Sequence, residues 1–153
     1  MPIFEASTTL LCPHGELFDF LIRPANLARV SPPELNLKLS KDAPEILELG
    51  SVLVLTTRRW GFLQRFISQV IKFDHGSMFV EEQRHGPFKR MVHYHHVETD
   101  GTTVRMVDRI DYEPPGGPLG MMMSADRLHK EMTEMYAYRT QKFKEILEAP
   151  KSA

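Results

Sequence analysis

His93, His95 and Asp108 are the residues whose types and spacing best suit chemistry. An imidazole oriented by a carboxylate titrates near neutral pH and serves as a general base, and a second imidazole supplies the acid. That pairing suits proton abstraction or dehydration, with His93 and Asp108 as the base pair and His95 as its partner. Two histidines and a carboxylate are also the ligand set of many non-haem iron sites. The same groups would orient the polar end of a molecule held in a pocket, or form a satisfied pair inside the fold. No nucleophile motif accompanies them: Gly-x-Ser-x-Gly is absent, and Cys12 falls near the start of the first predicted helix.

Two strands must position this trio. Asp100-Gly101 lies between extended runs, which signals a two-residue hairpin turn. With those two residues as the turn, facing positions sum to 201, so Met91 faces Ile110, His93 faces Asp108 and His95 faces Met106. Side chains alternate across a strand. One face then carries Met91, Val97, Val104, Met106, Ile110 and Tyr112 together with His93, His95 and Asp108. The other is mostly polar, so the first is expected to point inward. An ionised Asp108 there needs a partner, and the register offers His93.

The last element is expected to cover that face. Met121, Ala125, Leu128, Met132, Met135, Arg139, Phe143 and Ile146 recur at spacings of three and four, one helical stripe over about seven turns. Pro118 near its start and Pro150 after its end suit its boundaries. Met121, Met132 and Met135 would give an adaptable apolar wall, or simply core. Arg139 within the stripe requires a carboxylate, with Asp108 or Glu81 available, or a stem that packs while its head reaches water.

The remaining chain reads as a strand over Phe4–Leu10, a helix over Pro13–Ile22, a second helical piece around Asn26–Val30, then strands near Leu35–Leu39, Ser51–Arg59, Leu63–Phe73, Met78–Arg84, Phe88–Glu98 and Thr102–Glu113. Arg58-Arg59-Trp60-Gly61-Phe62 reads as a solvated hairpin tip or pocket rim, with Trp60 also suited to a dimer contact. The chain has 153 residues and a formal net charge of −1, which argues against a general nucleic-acid or anionic-membrane binder. No apolar run approaches the ~18 residues of a membrane span. Neither a P-loop nor a dinucleotide glycine motif occurs. The single cysteine, and an opening segment without a basic and then apolar stretch, are expected of a cytoplasmic protein.

The element order resembles the helix-grip fold of the START and polyketide-cyclase-like (SRPBCC) superfamily. A closer resemblance, to a bacterial subfamily, covers Leu63 to Gly120 and one pair in the last helix. It rests on Gln64-Arg65-Phe66, Phe79-Val80-Glu81-Glu82-Gln83, Gly86-Pro87-Phe88, Met91-x-His93-x-His95-x-Val97, Asp108-x-x-x-Tyr112, Pro115-x-Gly117-x-Leu119-Gly120 and Tyr138-Arg139. Met91, Glu81 and Val97 stand where that subfamily carries Trp, Asp and Phe. The resemblance implies a curved antiparallel sheet of about seven strands gripping a long C-terminal helix. Two short helices would follow the first strand, and a pocket would lie between sheet and long helix. Superfamily members carry apolar or amphipathic small molecules there, and some are cyclases or dehydratases.

These readings converge on one α+β helix-grip domain over residues 1–153. It is expected to bind a small hydrophobic or amphipathic molecule without transforming it and without cofactor or metal. Glu81, Gln83, Met91, His93, His95, Asp108, Tyr112, Met132, Met135 and Arg139 are the candidate lining. A cyclase-like enzyme using His93, His95 and Asp108, and a regulatory partner-binding domain, are the alternatives. No nucleic-acid partner or stable membrane insertion is expected, and the sequence leaves the oligomeric state open.

Overall fold

A computed structural model describes residues 1–59 and 61–148. Trp60 and Pro150, assigned above to a hairpin tip and a helix boundary, lie outside the described residues.

The chain runs β1 (Ile3–Leu10), α1 (His14–Leu21), two 3-10 turns (Pro24–Asn26 and Pro33–Leu35) and β2 (Lys38–Leu39). There follow β3 (Val52–Arg59), β4 (Phe62–Asp74), β5 (Met78–His85), β6 (Arg90–Asp100), β7 (Thr103–Glu113), α2 (Gly117–Met122) and α3 (Ala125–Leu147). All seven strands form one curved antiparallel sheet in the order β1-β7-β6-β5-β4-β3-β2. Register shifts between β4 and β5, at Ile67/Ser68 and Val70/Lys72, bend the sheet. Its concave face packs on α3, and this is the helix-grip fold. No helix among the described residues is long and apolar enough to cross a membrane.

Alternation explains the packing. On β7, Val104, Met106, Asp108, Ile110 and Tyr112 are all buried, as Thr8 and Leu10 are on β1. Beneath α3 the core divides into two clusters. One gathers α1 and the far end of α3 through Leu17, Phe18, Phe79 and Phe143; the other gathers Phe4, Phe88, Ile110, Tyr112, Leu128 and Met132. The site lies between these apolar blocks.

The turn, the terminal helical region and the segment after α1 differ from expectation. The turn between β6 and β7 is Gly101-Thr102, because Asp100 pairs with Thr103. Gly101 has φ +62° at the first central position, the place that a type II′ turn gives to glycine. Facing positions therefore sum to 203: His95 faces Asp108 and His93 faces Ile110. The inward face is unchanged, because both sums are odd.

The terminal helical region is two helices. Ser124 stops the first and caps α3, its side-chain oxygen accepting from the Arg127 N–H at 3.2 Å. Met121 is consequently 89% exposed on α2, and Met123 takes the buried place. Within α3 the buried stripe runs Leu128, Met132, Tyr136, Arg139, Phe143 and Leu147, so Tyr136 is more deeply buried than its neighbour Met135.

The strand expected over Leu35–Leu39 shrinks to Lys38–Leu39. Pro33–Leu35 forms a 3-10 turn that ends at Asn36 in the left-handed region, φ 47°, a conformation Asn tolerates. The piece expected around Asn26–Val30 is a 3-10 turn over Pro24–Asn26 continued by hydrogen-bonded turns to Val30.

Candidate functional site

The site grows from β5, β6 and β7, whose inward side chains meet under the middle of α3. Residues two apart on one strand share a face, so the rings of His93 and His95 stack at 3.7 Å, tilted by 25°. Phe79 on β5 faces His95 in register and extends the stack, 4.2 Å between ring centroids. These contacts fix both imidazoles edge-on to the carboxylates around them.

Asp108 anchors the arrangement from behind. It is 1% exposed, and its Oδ1 lies 2.8 Å from His93 Nε2, a diagonal cross-strand contact. His95 Nδ1 stands 3.3 Å from the same oxygen. That atom has no aligned hydrogen-bond partner, so the contact is charge attraction. The aligned bond of His95 runs from Nε2 to Glu81 Oε2 at 2.9 Å. Glu81 Oε1 also accepts from the Ser68 hydroxyl at 3.4 Å. From the helix side, the Tyr136 hydroxyl approaches His93 Nε2 at 3.2 Å. The result is a chain of polar groups, Ser68, Glu81, His95, Asp108, His93 and Tyr136, of which His95, Asp108 and Tyr136 are buried.

The two imidazoles are driven apart electrostatically. Burial disfavours the His95 imidazolium, but Asp108 and Glu81 outweigh it and raise the pKa to about 9. For His93 burial dominates, the charge on His95 adds to it, and the pKa falls below its ordinary value despite Asp108. His95 is thus charged and His93 neutral at pH 7. Burial also opposes ionisation of Asp108 and Glu81. The neighbouring imidazoles overcome it in both, holding Asp108 well below the usual carboxylate range and Glu81 below its ordinary value. Burial pushes the Tyr136 phenol far above its ordinary value, and the charge on Asp108 adds to that.

This chain borders a cavity of about 210 Å³ between the sheet and α3. Of the residues expected to line it, Glu81, Gln83, Met91, His93, His95, Met135 and Arg139 do. Three do not. Asp108 is screened by the imidazoles. Tyr112 packs under the first turn of α3, its hydroxyl donating to the Ala125 carbonyl at 3.3 Å. Met132 is core in the same cluster. The apolar wall comes instead chiefly from Ile110, on the face expected to point inward, and from Leu53, Leu55, Phe66 and Ile67, which lie outside the expected lining, with Tyr136 from α3. The alternate stripe Leu128, Met132, Tyr136 fits helical spacing as well as the one through Met135, and it would have found Tyr136.

An outer depression of about 690 Å³ adjoins the cavity and shares Leu35, Arg59 and Met135 with it. Arg59 on β3 and Glu131 on α3 form an ion pair of 3.4 Å at that rim.

Arg139 departs furthest from expectation. Neither Asp108 nor Glu81 pairs with it, and its stem is packed away. It is 8% exposed and enters no ion pair among the described residues. Its guanidinium carbon stands 5.0 Å from the Tyr136 ring centre and 5.6 Å from that of Phe143. Its Nε is enclosed without a hydrogen-bond partner.

As for metals, Glu81, His93 and His95 offer ligand atoms within 4.8 Å of one another, with Glu81 in place of the Asp108 of the sequence-based set. The stacked rings fit an ion poorly, because an ion in the plane of one imidazole stands out of the plane of the other.

No family profile and no curated protein matches the chain. Solved structures do. Major latex-like protein 151 from Panax ginseng superposes with a TM-score of 0.70 at 16% identity, over 97% of this chain and 98% of that one. CV1439 from Chromobacterium violaceum gives 0.75 at 10% identity, over 97% and 98%. XoxI from Bacillus cereus gives 0.68 at 10% identity, over 97% of each. At these identities the likeness shows the shared helix-grip fold alone.

Proposed function

We propose that the protein binds a small apolar or amphipathic molecule between the sheet and α3. The observation that carries this reading is the cavity itself: an interior volume with a largely apolar surface of Leu, Ile, Phe and Met side chains, into which a set of polar groups is placed. Ligand sites combine these two features. The volume lies below the ~300 Å³ common for such sites, so the occupant is small. The resemblance to the SRPBCC superfamily, whose members hold such molecules at the same place in the fold, supports the reading.

Native mass spectrometry of freshly purified protein tests it. The expected result is a retained small-molecule adduct, or uptake of added 1-octanol, that disappears in Ile67→Trp, where the indole fills the cavity. Absence of both adduct and uptake in the wild-type protein would refute the proposal.

One observation favours a second reading, acid–base catalysis. His93 is neutral, oriented by Asp108 at 2.8 Å, and on the cavity wall, which is how a general base is held. Such a base would accelerate deuterium exchange at the α-carbons of 2-octanone, followed by proton NMR in D₂O. His93→Ala and Asp108→Asn would each abolish that acceleration with the fold intact. Exchange no faster than in buffer would remove this reading.

A further inference from the structure

A buried guanidinium carries only donors and a fixed charge, so it requires an acceptor. Arg139 has none among the described residues: its only charge-related contacts are the rings of Tyr136 and Phe143. Cation–π contacts of this kind offset part of the desolvation cost of the ion but satisfy no N–H. Arg139 nevertheless lines the cavity and is more than nine-tenths buried. The carboxylate on the same wall, Glu81, is already engaged by His95 and Ser68. Three other lining residues carry a buried atom without a partner, Thr57 Oγ1, Gln83 Oε1 and His95 Nδ1, and of these the Thr57 hydroxyl on β3 is a neutral donor. It can donate to an anionic acceptor just as the guanidinium does.

We infer that the ligand is a small monocarboxylic acid with an apolar body, its carboxylate seated on Arg139. This rests on the binding reading above and adds the chemistry of the head group. A carboxylate matches the guanidinium fork with two parallel hydrogen bonds. A monoanion also suits the local charge better than a phosphate does. One guanidinium neutralises one charge, and a dianion would leave an excess beside Glu81 and Asp108. The cavity of about 210 Å³ accommodates a body of roughly ten non-hydrogen atoms at interior packing density.

The test is isothermal titration calorimetry of the full chain at pH 7.5 with three probes of one length: octanoate, 1-octanol and octylammonium. The wild-type protein should bind octanoate at least tenfold more tightly than 1-octanol, and octylammonium most weakly. In Arg139→Met, which keeps volume and removes the charge, octanoate binding should fall at least tenfold while 1-octanol binding changes less than threefold. If that variant does not fold, Arg139→Lys should keep part of the preference, and the wild-type ratio alone decides. Equal or tighter binding of 1-octanol by the wild-type protein overturns the carboxylate anchor and leaves the binding reading standing. No binding of any probe overturns both.

Discussion

Raising the pH from 6.5 to 9.5 should weaken this fold through His95 in particular. The group titrates near 6.5 when unfolded and about 9 in the folded protein, where Asp108 and Glu81 outweigh burial. Its folded pKa is raised, so the stability it contributes is fully present below pH 6.5 and is lost as pH rises through about 9. Across that window the folded chain holds a proton that the unfolded chain has released. Each pH unit then costs about 1.4 kcal/mol, and the whole interval on the order of 3 kcal/mol. That is a large share of the ~5–15 kcal/mol that holds a typical domain together.

Urea titrations at half-unit pH steps, on the wild-type protein and on His95→Gln, would read this directly. The variant is expected to be less stable at pH 6.5, with the gap closing by about 3 kcal/mol by pH 9.5. His93 does not obscure the result. Its depressed pKa makes its contribution one that is lost as pH falls below 6.5, outside the window. A gap that stays constant from pH 6.5 to 9.5 would show that His95 carries no proton in the folded state, and the account of the buried network would fail.

Three further outcomes follow from local geometry. Asp108→Asn removes the carboxylate that two imidazoles share, and its cost should reach about 3 kcal/mol in urea unfolding at pH 7; wild-type stability would contradict the network. Ser124→Ala removes the cap at the start of α3 and should cost about 1 kcal/mol, read as a lower thermal midpoint with little change in helical circular dichroism. Gly120→Ala should lower the midpoint further, because a Cβ at position 120 would collide with the Pro115 backbone carbonyl, which cannot rotate away as a side chain could; an unchanged midpoint would show that the connection from β7 to α2 is slack.

Much of the site was legible because strand periodicity is a robust signal. Moving the reversal from Asp100-Gly101 to Gly101-Thr102 changes every facing pair, yet it leaves each side chain on the same face, since the pair sum moves by two. The inward trio of His93, His95 and Asp108 therefore survived an error in the turn. Even the bond between His93 and Asp108 survived, as a diagonal contact in place of a direct one. The place of β5 against this pair is a different matter. The alternation within β5 does not state which of its faces is buried, and only the pairing of Phe79 with His95 brings Glu81 into the cluster.

The helix shows the opposite case. Its stripe tolerates two phases, and a break of two residues is nearly invisible to a spacing of three and four, so the spacing places Met121 on a face that it does not occupy. Ser124 was the available sign of the break, a capping residue one position before a helical run. Arg139 is different again. Its place in the stripe was plain, but whether a buried cation finds a carboxylate depends on the reach of side chains from three strands. Here the nearest carboxylates are already taken by histidines, and the cation is left against aromatic rings on a cavity wall. An amphipathic pattern records which residues are turned inward. The charge left uncompensated appears only when all inward-facing groups have been paired off, and in this fold the remainder is a guanidinium.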